Sequence, residues 1–267
     1  MAKVMTENRE ICEIKCEPYR NMIKDALERE KMILATMTTS PADANYKKLD
    51  LCEEMIGCAT YYITINNLTV ELVNTKDNDA LNDARKMLYK AIIYLEEIIT
   101  NVVDSLQTDL EDKLATIAKF PIEKRFYLVR KLGLAIALLI DAFGDNTKWK
   151  WSFVELQGRF AVVAKNLIDL KQAAKDYFDP NSQNYDNSIL YIRLIRKLYD
   201  QSATAYRDRY ELSTHRIDDM RMAILFLSGG RRLAIALGEP EEAEEIKKKA
   251  GVWRLKVESD QKAGRAK

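Results

Sequence analysis

Histidine is almost missing from this chain, with one in 267 residues. That scarcity removes most acid/base and imidazole-metal chemistry, including the paired Glu-x-x-His motifs of a di-iron bundle. Turn formers are scarce too, at nine glycines and five prolines. Sandwiches, barrels and doubly wound α/β folds need frequent tight turns, so the shortage favours a few long helices. Long apolar runs are short of what a membrane span requires. The longest, Leu132 to Ile140, closes at Asp141, whereas a spanning helix needs about 20 residues. No apolar stretch follows the first basic residues, so no secretory leader is expected. The four cysteines, Cys12, Cys16, Cys52 and Cys58, then read as reduced thiols in a reducing, soluble compartment such as the cytoplasm. A formal net charge of +1 excludes a generic polyanion binder, although local asymmetry can still build a charged surface.

What the chain has in quantity is helical periodicity. Ile23, Leu27, Glu30, Leu34 and Met37 recur on one helical face and stop at Ser40-Pro41, a cap and first-turn proline for a second helix. Met55, Cys58, Tyr62, Ile65, Thr69 and Leu72 continue at alternating spacings of three and four. The β-branched run from Tyr61 to Val73 would suit a strand, but the seam argues helix. Leu88, Ile92, Leu95, Ile99, Val102, Leu106, Leu110 and Ile117 predict one long helix over 79–119. Pro121 restarts a helix ending near Gly144, and Asp145-Asn146-Thr147 caps the next, which ends at Asp179-Pro180. Residues 188–238 form one helix or two, with Ser213-Thr214 and Gly229-Gly230 as the places where it can break. Gly238-Glu239-Pro240 separates a last short helix, acidic at its start and basic at its end. The expectation is an all-α fold, an elongated antiparallel bundle of six or seven long helices. It assigns 1–238 to the bundle, with a sub-boundary near 120–121 or 180–187, and 239–267 to a short helix and basic tail.

Few constellations carry chemistry. Cys12 and Cys16 share a helical face, but in an antiparallel hairpin Cys58 is displaced from Cys16 by roughly 12 Å, so a four-thiolate site is geometrically poor. Asp218-Asp219 and Asp109-x-Glu111-Asp112 lack the repeated spacing on two helices that a magnesium-diphosphate site uses. No nucleophile triad or phosphate loop can be assembled. No catalytic residue, metal site or cofactor is therefore assigned. Gly229, Gly230, Arg231 and Arg232 form a candidate anion contact, where glycine backbone and two guanidinium groups coincide. Trp149 and Trp151 lie two apart at a helix start, where only one ring can be fully buried and the other is free to meet a partner.

Charge is uneven along the chain. Ten acids oppose four bases between Leu68 and Asp112, and eight bases oppose two acids from Lys247 to Lys267. Opposed segments on a near-neutral chain suit self-association or docking to a complementary protein. Lys247, Lys248, Lys249, Trp253 and Arg254 are thus candidate partner contacts. The expected function is a non-enzymatic helical scaffold or assembly subunit acting through protein–protein contacts. The alternatives are a nucleic-acid-associated protein using the basic tail, or a helical-fold enzyme.

Overall fold

A computed structural model describes residues 2–39, 43–144 and 149–265, with side chains for 7–37, 43–144 and 149–265. The caps expected at Ser40-Pro41 and at Asp145-Asn146-Thr147, and the terminal Lys267, lie outside the described residues. The protein is all-α. Among the described residues ten α-helices run in the order α1 (Ala2–Thr39), α2 (Ala44–Val73), α3 (Asn78–Ile98), α4 (Thr108–Ala115), α5 (Ile122–Phe143), α6 (Lys150–Asn166), α7 (Leu170–Phe178), α8 (Tyr185–Arg209), α9 (Ile217–Ala236) and α10 (Pro240–Lys262). No helix of the described residues is long and apolar enough to cross a membrane.

The chain divides into two compact units, one of Met1–Ile98 with Leu128–Trp149, the other of Ile99–Tyr127 with Lys150–Lys267. In the first unit α2 packs against both α1 and α3. Cys12, Cys16, Ile23 and Ala26 of α1 are buried at helical spacing, as are Leu81, Leu88, Ile92 and Leu95 of α3, which is the pattern of an amphipathic helix facing a core. Lys90 and Tyr94 of α3 both donate to the buried Glu30 carboxylate of α1. Without those donors the charge would be too costly to bury. The β-branched stretch of α2 is helical where it packs between α1 and α3, and Thr60, Thr64 and Thr69 turn their hydroxyls back onto the carbonyls of Ile56, Thr60 and Ile65, hydrogen bonds that need no strand neighbour.

The single helix expected over 79–119 does not form. α3 ends at Ile98 and α4 begins only at Thr108. The connecting carbonyls are taken by side chains of the second unit. Asn166 Nδ2 donates to Thr100 O at 3.1 Å and Val102 O at 3.0 Å, Tyr199 Oη to Val103 O at 2.8 Å, and Lys165 Nζ to Ser105 O at 2.6 Å. Four hydrogen bonds from buried donors replace the intrahelical ladder, while the β-branched Ile99-Thr100 and Val102-Val103 pairs weaken it. This break, another between α6 and α7, the one between α8 and α9, and the separate last helix α10 bring the number to ten among the described residues, where a bundle of six or seven was expected.

The second unit is built around α8, which packs on α6, α7 and α9, and α9 packs on α10. Its core carries Tyr191, Tyr199, Phe226 and Leu233. α8 runs into a π-helical turn (Tyr210–Thr214), and His215 takes a left-handed conformation at φ +51°. The 188–238 stretch thus breaks at Ser213-Thr214. It does not break at Gly229-Gly230, which lie inside α9. A Cβ on Gly229 would stand 2.4 Å from Tyr199 Cε1, so glycine is needed there for α8 and α9 to approach.

Candidate functional site

α9 and α10 are joined by only Leu237, Gly238 and Glu239, and Gly238 turns the chain at φ +69°. The outer groove of this hairpin carries the most distinctive surface of the second unit. Its turn-proximal half is a cavity of about 380 Å³ bordered by Arg231, Arg232, Lys247, Arg254, Ser228 and Asp104. Its other half, about 510 Å³, shares Ser228 and Arg254 and is walled by Ile217, Ile224, Leu225 and Val257, with Arg221, Glu258 and Gln261 along its rim. The two halves form one stripe because the lining positions recur every three or four residues along each helix.

Four cations therefore face one carboxylate in the turn-proximal half. Arg232 Nε reaches Asp104 Oδ1 at 2.6 Å, and Lys247 is drawn to Glu244 at 3.1 Å. Arg231 and Arg254 make no ion pair among the described residues. The Nε of Arg231 is buried with no hydrogen-bond partner among them. A guanidinium left partly desolvated and unpaired is costly, and an incoming oxyanion or carboxylate removes that cost.

The arginines singled out in the sequence thus stand together with two residues of the basic tail. The glycines beside them do not contribute. Their amides belong to the α9 ladder, so the expected backbone cradle for an anion is not formed. Trp253 is also placed differently from a partner contact. It is 7% exposed, covered by Arg207 and Lys249 at 5.5 and 5.3 Å from its ring. Lys249 pairs with Asp200 at 3.1 Å, while Lys248 is exposed. In the first unit Trp149 is half-buried, edge-on to Phe143 and covered by Arg85. In the second, Trp151 is half-buried beside Lys150.

Beside the groove, the sequence reading passed over Lys165. It is 8% exposed, and burial pushes its amine down to about 8, with Arg232 adding to the effect and Asp104 opposing it. The signal was available, since Lys165-Asn166 interrupts the apolar run Val162-Val163-Ala164 to Leu167-Ile168. Asp219, one of the acidic pair considered for magnesium, is buried against Arg209 and Thr214. Cys12 and Cys16 place their Sγ atoms 3.9 Å apart near Thr69. Among the described residues no group of three or more His, Cys, Asp or Glu side chains could hold a metal ion.

These features define an all-helical protein whose clearest surface is a basic and apolar hairpin groove. Residues 8–261 match the TP0443 family, and the chain belongs to that family. No curated protein and no solved structure matches it.

Proposed function

We propose that this protein is a non-enzymatic assembly subunit that acts through protein–protein contacts, with the α9–α10 groove as its principal docking surface, in a reducing compartment where its thiols stay free. The observation that carries this reading is the pairing of two uncompensated guanidinium groups, Arg231 and Arg254, with an adjoining apolar wall. The two requirements of a protein interface, an apolar centre and charged groups that select a partner, are adjacent on one face. Leu225 and Ile235 beside the groove are exposed, which fits a surface completed by another polypeptide.

The nucleic-acid alternative draws on the same cations. Two features weigh against it. Lys247, Lys249 and Lys256 are engaged by Glu244, Asp200 and Asp260, and the tail's only aromatic ring, Trp253, is buried, leaving no stacking platform for bases. Native mass spectrometry of the full chain, purified gently at low salt, tests the proposal. The expected result is a mass above one chain accounted for by polypeptide, lost when Arg231 and Arg254 are both changed to Glu. A lone chain in both proteins, or a mass accounted for by nucleic acid, would overturn it.

A further inference from the structure

The groove needs an occupant that is acidic, amphipathic and helical, and the first unit displays one. At 100° per residue, Glu7, Glu10, Ile11, Ile14, Glu17, Met22 and Asp25 fall on one side of α1. Cys12, Cys16, Ile23 and Ala26 fall on the opposite, buried side. The outer face is apolar as well as acidic. Ile14 is 69% exposed, Met22 47% and Ile11 39%. Glu7, Glu10, Glu17 and Asp25 make no ion pair among the described residues, and Lys15 and Lys24 are the bases at the two edges of this face.

The acidic surface continues into the groove between α1 and α2, where Asp25 and Met22 meet Asp50, Glu53 and Glu54 around a cavity of about 650 Å³. Arg29 is held there by Glu54 at 2.9 Å, and Lys131 pairs with Glu53. Asp50 keeps its proton more tightly than an ordinary aspartate, through burial and through the neighbouring Glu53 and Glu54. Incoming cations would relieve that crowding.

We infer that the outer face of α1 of one copy docks in the α9–α10 groove of a second copy, carboxylates against Arg231 and Arg254 and Ile11, Ile14 and Met22 against the apolar wall. The lengths agree. From Glu7 to Asp25 and from Ile217 to Ile235 are equal stretches of helix, about 27 Å each. A helix laid along two antiparallel helices is a recurring recognition mode, anchored by residues three and four apart. The two surfaces differ, so the contact is heterologous. Each copy offers both surfaces, so assembly closes as a reciprocal dimer or a larger ring, or continues as an open chain.

The inference rests on the assembly reading and is tested separately from it, on purified full-length protein. Sedimentation velocity is run on the wild type over a range of concentrations at low and high salt, with and without a short single-stranded RNA. The same is done for Arg231→Glu/Arg254→Glu, for Glu10→Lys/Glu17→Lys, and for their equimolar mixture. The wild type is expected to form dimers or larger species that dissociate as salt rises. Each variant alone should associate about a hundredfold more weakly, because like charges then face each other. The mixture should recover association, since the basic α1 of one variant meets the acidic groove of the other. That recovery also shows both variants to be folded. A wild type that stays monomeric, association that either variant leaves unchanged, or a groove that binds only RNA would each overturn the inference. Should the pure protein be monomeric while the native complex holds a different polypeptide through Arg231 and Arg254, the assembly reading stands and the second-copy inference falls.

Discussion

Replacing Lys165 with Met removes a buried amine while keeping a side chain of similar length, and the structure fixes how the consequence varies with pH. The drop from an ordinary 10.5 to about 8 disfavours the charged amine by about 3 kcal/mol, at about 1.4 kcal/mol per pH unit. A lysine depressed in this way costs stability, and the cost is fully present below the folded value. It is relieved as pH rises from about 8 towards 10.5, because the unfolded chain then binds the proton more tightly than the folded one. Against it stands the hydrogen bond from Lys165 to Ser105 O, whose loss costs about 1–3 kcal/mol when the carbonyl is left buried. The two effects nearly cancel near neutral pH. Between about pH 6.5 and pH 9.5 the wild type should recover about 2 kcal/mol that Met cannot. Lys165→Met should therefore be close to wild type in stability at the lower pH and about 2 kcal/mol less stable at the higher one. Urea unfolding of both proteins across this range, followed by tryptophan fluorescence and far-UV circular dichroism, measures the difference directly. Parallel pH profiles would refute the reasoning, since they would mean that Lys165 is not protonated differently in the folded state.

The glycine pair of α9 gives a contrast within two residues. Gly229→Ala should lower the thermal midpoint, at a cost of about 1–3 kcal/mol from overpacking against Tyr199. Gly230→Ala meets nothing within 4 Å and should raise stability by about 0.5–1 kcal/mol through helix propensity. Equal effects from the two would show that α8 and α9 are not in close contact. The thiols offer a chemical check. Burial pushes Cys16 and Cys58 up to about 11, and Cys52 further still. At pH 8 these three should resist a disulfide reagent in the native protein, and all four cysteines should react after denaturation. Rapid native labelling of Cys52 would contradict its place in the core.

Sequence periodicity recovered what depends on local spacing and lost what depends on distant donors. The α2 seam through Met55, Cys58 and Ile65 survives a β-branched stretch because its spacing buries those side chains together, while the threonines find hydrogen-bond partners four residues back. The helix drawn across 79–119 fails for the complementary reason. Nothing between Ile98 and Thr108 reveals that Lys165, Asn166 and Tyr199, which lie 60 to 96 residues further on, will take its carbonyls. The same limit applies to Gly229, whose requirement comes from the Tyr199 ring and not from any turn. At the groove, sequence spacing could pair Arg231 with Arg232 but could not bring Arg254 beside them, since that depends on how the α9–α10 hairpin closes.

Net charge counted along a window is a poor guide to either face of the proposed contact, and the reason bears on how such a surface can work. In the tail, Lys247 and Lys249 are matched by Glu244 and Asp200 from outside that window, so part of the apparent excess is spent within the unit. In α1 the opposite happens. Glu7, Glu10, Glu17 and Asp25 are offset in sequence by Arg9 and Arg20, which point to other sides of the helix, and by Lys15 and Lys24 at the two edges of the face, so a face that is acidic at its centre belongs to a segment that counts as nearly balanced. A chain of formal charge +1 can thus carry two opposed faces without long-range self-repulsion. The attraction between such faces acts over about 8–10 Å at ordinary salt, so it selects register at contact, while the exposed Ile11, Ile14 and Met22 supply apolar area that salt does not screen. An interface built this way should lose affinity with rising salt yet retain a salt-resistant remainder. Purely electrostatic docking would fall towards zero.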